Sequence, residues 1–169
     1  YWSIASTFSF NSKHYAVLVG TGSSLMIYID GELKSTDGST TTSYNTSTYD
    51  FNIGGGGVFD ANGNWFDGNI YEVAVWDTAL SAAAIAALYN GGAGLDASTN
   101  SGNYSSVVDL LAYWDFNEGS GTTVADQSGN GNDGTVNGAT WVSSDEDVLL
   151  TYDFMLDNWS PTGTEHLAV

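Results

Sequence analysis

The commonest period along this chain is two. In KHYAVLVG (13–20), Tyr15, Val17 and Val19 share one face and Ala16 and Leu18 the other; in SLMIYIDG (24–31), Leu25, Ile27 and Ile29 oppose Met26 and Tyr28. Both faces are apolar, which predicts strands covered on two sides. TGSS joins the two runs, and Asp30-Gly31 ends the second as a hairpin signal. Further strands are predicted at 2–9, 50–54, 69–76 and 110–116, with weaker ones at 134–142 and 147–154. Short strands punctuated by Gly, Asn, Asp and Ser predict an all-β chain, an antiparallel sandwich or jelly roll.

A helical stretch interrupts this pattern. In ALSAAAIAALYNGG (79–92), Ser81 is placed as N-cap, Leu80 and Ile85 as a hydrophobic staple, Leu88 and Tyr89 as the rest of the apolar stripe, and Gly91 as C-terminal cap. The prediction is one short helix.

At 169 residues the chain suits one cored domain with appendages, and 42% hydrophobic residues supply that core. There is no cysteine, hence no disulfide framework. No stretch approaches the roughly 18 apolar residues of a membrane span. Because the chain starts at Tyr1, it reads as a processed product or a piece of something longer. Its 20 acidic residues face two lysines, Lys13 and Lys34, and no arginine, for a net charge of −18. Nucleic acid and anionic membranes need cations to hold them, so both are excluded as expected partners. Solubility in a salty medium and affinity for divalent cations remain as readings of the charge.

Three motifs in succession then carry a resemblance. KHYAVLVGTGSSLMIYIDGEL, then FNIGGG, then FDGNIYEVAVWDTALSAAAIAALYNGG resemble the later half of a laminin-G-like domain of the concanavalin A-like lectin/glucanase superfamily, over about residues 10–92. LLAYWDFNEGSGTTVADQSGNGNDGTVNGATW (110–141) resembles the opening strand of the same family, so the order is inverted. Either 110–142 begins a second module, or it closes the same sandwich as a circular permutation would. The single-unit reading is preferred. It gives later-half strands and helix at 1–92, a connector at 93–109, an opening-type strand and loop at 110–142 completing the same sandwich, and a tail at 143–169 packed on the domain or a neighbour. The resemblance implies an antiparallel β-sandwich of the concanavalin A-like jelly-roll type with one short helix.

Candidate chemistry sits in two loops. DQSGNGNDG (126–134) places Asp126, Ser128 and Asn130 at alternate positions before Gly131, as an oxygen-ligand calcium loop does, but position twelve is Asn137 and no EF-hand results. DANGN (60–64) repeats the alternation with Asp60, Asn62 and Asn64, followed by Asp67. Each loop is either a structural calcium site, a cofactor the resemblance also implies, or a plain Asx-Gly turn. Tyr71 stands where the family motif carries an aspartate.

No paired-carboxylate pattern for glycoside hydrolysis occurs, Asp145-Glu146-Asp147 reads as a solvated loop, and His14 reads as a core or edge residue, so the expectation is non-enzymatic. For a glycan the candidate faces are Trp65, Tyr44, Tyr49 and Trp141, while Trp76 and Trp114 belong to strand patterns and hence to the core. The tail carries Leu149, Phe154, Met155 and Trp159, an apolar patch that suits an interface. Two functions follow. One is a carbohydrate- or surface-binding adhesion module of a larger extracellular protein; the other is a structural or decoration subunit of a virion or surface appendage, a homo-oligomer that assembles with its own copies.

Overall fold

The computed structural model describes residues 12–38, 51–55 and 65–142. The strands predicted at 2–9 and 147–154, the loop at 60–64 and the tail at 143–169 lie outside these residues. The described fold is mostly β, with antiparallel sheets and one short helix.

Strands β1 (Ala16–Gly20), β2 (Leu25–Ile29) and β3 (Glu32–Asp37) form one sheet in that order. The first turn is TGSS, closed by Thr21 N–H on Ser24 O at 2.9 Å. The second turn is Asp30-Gly31, with Ile29 paired to Glu32 and φ of 54° and 78° at the two turn residues. Positive φ at both positions is what a two-residue hairpin of this twist requires, and Asp-Gly supplies it. β3, ELKSTD, was not foreseen: it is largely exposed and lacks an apolar alternation, so the turn and not hydrophobic patterning specifies it. Val17 and Val19 are buried while Ala16 and Leu18 are half-buried, so one face is covered more completely than the other.

The middle layer is β4 (Val73–Trp76) paired antiparallel with β5 (Leu110–Trp114). Ala74, Trp76, Leu110 and Tyr113 face a cluster built from β1, β2 and the helix. Val73, Val75, Ala112 and Trp114 face a second cluster with Ile53 and Val124. Leu110 and Tyr113 share a face because a bulge opposite Val75/Trp76 leaves Leu111 out of register. A small ribbon of β6 (Thr123–Val124) and β7 (Gly134–Thr135) lies beyond. The opening-type strand is thus in register against the later-half strand, and both contribute to both clusters.

Helix α1 (Ala82–Tyr89) starts as expected: Ser81 Oγ accepts from Ala84 N–H at 3.1 Å, and the staple residues Leu80 and Ile85 are buried. Its end differs from the expectation. Asn90, not Gly91, takes the first left-handed position (φ 49°) and its N–H bonds Ala86 O; Gly91 follows, also at positive φ. The strand elements are shorter than predicted. Of the strand predicted at 50–54, the described residues 51–54 form none, 69–72 stay irregular, and 134–142 contribute only β7.

The connector is a built element and not a tether. Asp96 accepts from Ser98 N–H and Ser98 Oγ, a single 3-10 turn covers Val107–Asp109, and Tyr104 turns inward to the first cluster.

Candidate functional site

The segment DQSGNGNDG has a clear use, and it is backbone repair. The bulge at Leu111 and the outer edge of Tyr113 leave main-chain groups without a strand partner. Asp126 Oδ1 accepts from Tyr113 N–H at 3.0 Å and from Ser128 N–H at 2.9 Å, and its Oδ2 accepts from Asn132 N–H at 3.0 Å. Gln127 N–H bonds Tyr113 O at 2.7 Å. The Asn130 amide donates to Leu110 O at 2.8 Å and Leu111 O at 3.0 Å; the Asn132 amide donates to Leu111 O at 2.9 Å, and Ser128 Oγ to the same carbonyl at 3.2 Å. Asp133 accepts from Asp126 N–H, and Asn132 O receives the Trp114 indole N–H at 2.8 Å.

Side chains here act as a substitute strand along β5. This donor set does not fit a calcium ion. Asp126 has turned three N–H groups toward its oxygens, and Asn130 presents its NH₂ and not its carbonyl to the strand, whereas a calcium loop converges oxygens on one point. Among the described residues no group of three or more His, Asp or Glu is placed to hold a metal. Asp60, Asn62 and Asn64 lie outside them, and Asp67 belongs to a different feature.

That feature is a cleft of about 510 Å³, within the range of small-ligand sites. One wall is the segment Trp65–Ile70, the other runs from Asn137 to Thr140 and on to Val142. The first wall is fixed by a bridge between Gly55 and Trp65 and by Phe66 N–H on Gly54 O at 2.7 Å. The second hangs from Val136 N–H on Thr122 O at 2.9 Å and from the Trp141 indole N–H on Gly121 O at 2.8 Å. Trp65 is 61% exposed and Phe66 50% exposed, unusual for rings of that size. Asp67, Asn69, Asn137 and Thr140 bring hydrogen-bonding groups beside them. The Asn69 amide donates to Tyr71 Oη at 3.2 Å, which leaves its carbonyl oxygen as an acceptor, and Lys13 Nζ sits 5.6 Å from the centre of the Tyr71 ring.

Gly68 makes room for one of these rings. A Cβ built there would lie 2.7 Å from Phe66 Cε1, so the ring occupies the space a side chain would fill. Its φ is not in the left-handed region, so the backbone would accept alanine. Gly68→Ala is therefore expected to displace the Phe66 ring while changing stability by less than about 0.5 kcal/mol. Ring chemical shifts of Phe66 and a melting curve check this together; an unmoved ring would refute the steric account.

Of the aromatic residues picked from the sequence, Trp65 lies in the cleft. Trp141 does not, because it is half-buried against the second cluster. Tyr44 and Tyr49 lie outside the described residues. Trp76 and Trp114 are core, as expected. Phe66, Asn69, Asn137 and Thr140 were missed as ligand-binding candidates. The signal was the FDG at 66–68, where a large ring two residues before a glycine precedes a strand without alternating with it.

The remaining candidates have structural uses. His14 Nδ1 meets Asp30 Oδ2 at 2.8 Å while Asp30 Oδ1 accepts from Tyr15 N–H at 3.0 Å, tying the hairpin turn to the strand before it. The Tyr113 hydroxyl donates to Glu72 Oε2 at 2.9 Å. Burial, reinforced by the Glu72 charge, pushes the Tyr113 phenol well above its ordinary range. Asp145, Glu146, Asp147 and His166 lie outside the described residues.

Residues 3–86 match the laminin-G model described as the concanavalin A-like lectin/glucanases superfamily. Over these residues the chain belongs to that superfamily. No curated protein and no solved structure matches it. The superfamily assignment covers the hairpin sheet, the Gly54 and Trp65–Ile70 side of the cleft, β4 and the first half of α1; β5, the substitute strand and the second cleft wall come from chain beyond it. The resemblance seen in the three motifs is thus carried by the family match.

Proposed function

We propose that this chain is a non-enzymatic, extracellular carbohydrate-binding module, in which residues 110–142 complete the same folded unit as residues 1–92. The observation that carries the reading is the pair of exposed rings, Trp65 and Phe66, set in an open cleft beside amide, hydroxyl and carboxylate groups. A pyranose offers an apolar C–H face for the rings and a rim of hydroxyls for the polar groups. Superfamily membership supports the reading, since lectin-type domains of this kind often bind carbohydrate.

Asp67 is the one carboxylate lining the cleft among the described residues, while glycoside hydrolysis by the common route needs two. The alternative, assembly of the chain with its own copies, rests on the tail at 143–169, which lies outside the described residues.

Trp65→Ala tests the reading. The ring is 61% exposed and belongs to neither core cluster of the described residues, so the variant is expected to melt with the parent chain and to lose about 10- to 100-fold in affinity for any glycan the parent retains on an array. Equal binding by parent and variant would move the site elsewhere.

A further inference from the structure

The cleft also bears on which saccharides enter, an inference that rests on the carbohydrate-binding reading above. Among the described residues no lysine, arginine or histidine lines it. Of the two lysines of the chain, Lys34 Nζ lies 2.7 Å from Glu32 Oε2, and Lys13 lies over the ring of Tyr71, the hydrogen-bond partner of Asn69, and outside the cleft lining. Asp67 is exposed on the cleft wall, in a chain of net charge −18. A sulfate, uronate or sialate would therefore approach through a repulsive field and arrive beside a carboxylate that no cation among the described lining residues compensates.

A hydroxyl-rich, uncharged ring meets the opposite situation. A carboxylate is an acceptor with two oxygens, and two neighbouring hydroxyls on a sugar can donate to them as a pair of charge-assisted hydrogen bonds. The Asn69 carbonyl adds an acceptor on the same wall, and Asn137 and Thr140 face it with amide and hydroxyl groups that both donate and accept. The rings of Trp65 and Phe66 demand only a flat C–H face, which neutral and anionic sugars share. Selection thus falls to the polar rim, and its charged member is Asp67.

We infer that the cleft selects uncharged saccharides with adjacent free hydroxyls and rejects anionic glycans, with Asp67 as the selecting residue. The consequence is a lectin-like site whose binding is nearly indifferent to salt. Screening weakens or strengthens charge–charge contacts and leaves ring stacking and hydroxyl bonds almost untouched.

The test uses the full chain and immobilised probes of both kinds: mannan, galactan and cellohexaose as neutral ligands, heparin and polygalacturonate as anionic ones. The expected result is retention of at least one neutral probe, with affinity changing less than about twofold between low and high salt, and no retention of the anionic probes. Asp67→Asn, at an exposed position, is expected to weaken the neutral probe about tenfold, as loss of charge-assisted bonds should. Tighter binding of heparin or polygalacturonate than of every neutral probe overturns the inference, as does an Asp67→Asn variant that binds the neutral probe like the parent. Silence toward all five probes, by parent and by Trp65→Ala alike, overturns the carbohydrate-binding reading itself, so the two failures are told apart.

Discussion

Asp126→Ala is expected to cost about 3 kcal/mol of stability, because three backbone N–H groups lose their acceptor at once. A typical point substitution costs nearer 1 kcal/mol, so the excess is diagnostic. The loss spreads beyond the loop. Once the Asp126 carboxylate is gone, the turn that aims the Asn130 and Asn132 amides at Leu110 O and Leu111 O has no anchor, and the outer edge of β5 opens to water. For a chain of this length the melting temperature should fall by about 6–12 °C. Asp126→Asn should fall between, since one side-chain oxygen can still serve Tyr113 and Ser128 while the new NH₂ faces Asn132 N–H.

A chelator separates this account from a calcium loop. If DQSGNGNDG works through its own hydrogen bonds, EDTA leaves the melting temperature of the parent chain unchanged. A drop on chelation, restored by calcium, would instead show that oxygens of the chain converge on a cation and would reverse the assignment made from Asp126 and Asn130.

The two readings of this loop could not be separated from the sequence because they share a cause. Alternating Asp, Ser and Asn with glycines in left-handed positions bends a chain tightly and points polar groups inward, whether the thing enclosed is a metal or a bulged carbonyl. What favours the hydrogen-bonding reading is the bulge at Leu111, which depends on the register of β4 against β5 and has no local signature. Elements specified locally were legible: the paired strands with period two, the Asp30-Gly31 turn, the Ser81 cap and the staple. β3 was not, since the turn imposes it on residues of weak preference. The cleft was half legible. Trp65 stood out as an aromatic ring in a polar loop, but the 137–142 wall reaches it only through tertiary packing, and the same packing turned Trp141 toward the core.

The connector offers the other large effect. Tyr104, 1% exposed, accepts the Trp76 indole N–H at 3.0 Å and donates to Ala97 O at 2.6 Å, and its ring meets Trp76 edge to face. Trp76 ends β4 and Ala97 lies in the connector, so a single phenol holds the segment that leads from β4 into β5. Tyr104→Phe is expected to lose about 2 kcal/mol, because a buried indole N–H and a buried carbonyl are both left without a partner. Tyr104→Ala adds an empty ring-sized space and should lose about 4 kcal/mol. Burial pushes the Tyr104 phenol up to about 12, with the nearby Asp96 and Asp109 charges adding to the rise. A folded-state value above the ordinary one means that this contribution is present below pH ~10 and is lost as pH climbs toward the raised value. Denaturant unfolding of the three chains at neutral pH and again above pH ~10 reads both effects. One transition shared by fluorescence and far-UV signals, shifted as a whole in the variants, is expected if residues 110–142 belong to the same unit as β1 to β4. Two separate transitions, with only one moved by Tyr104→Phe, would mean that the opening-type strand folds apart from the strand it pairs with here.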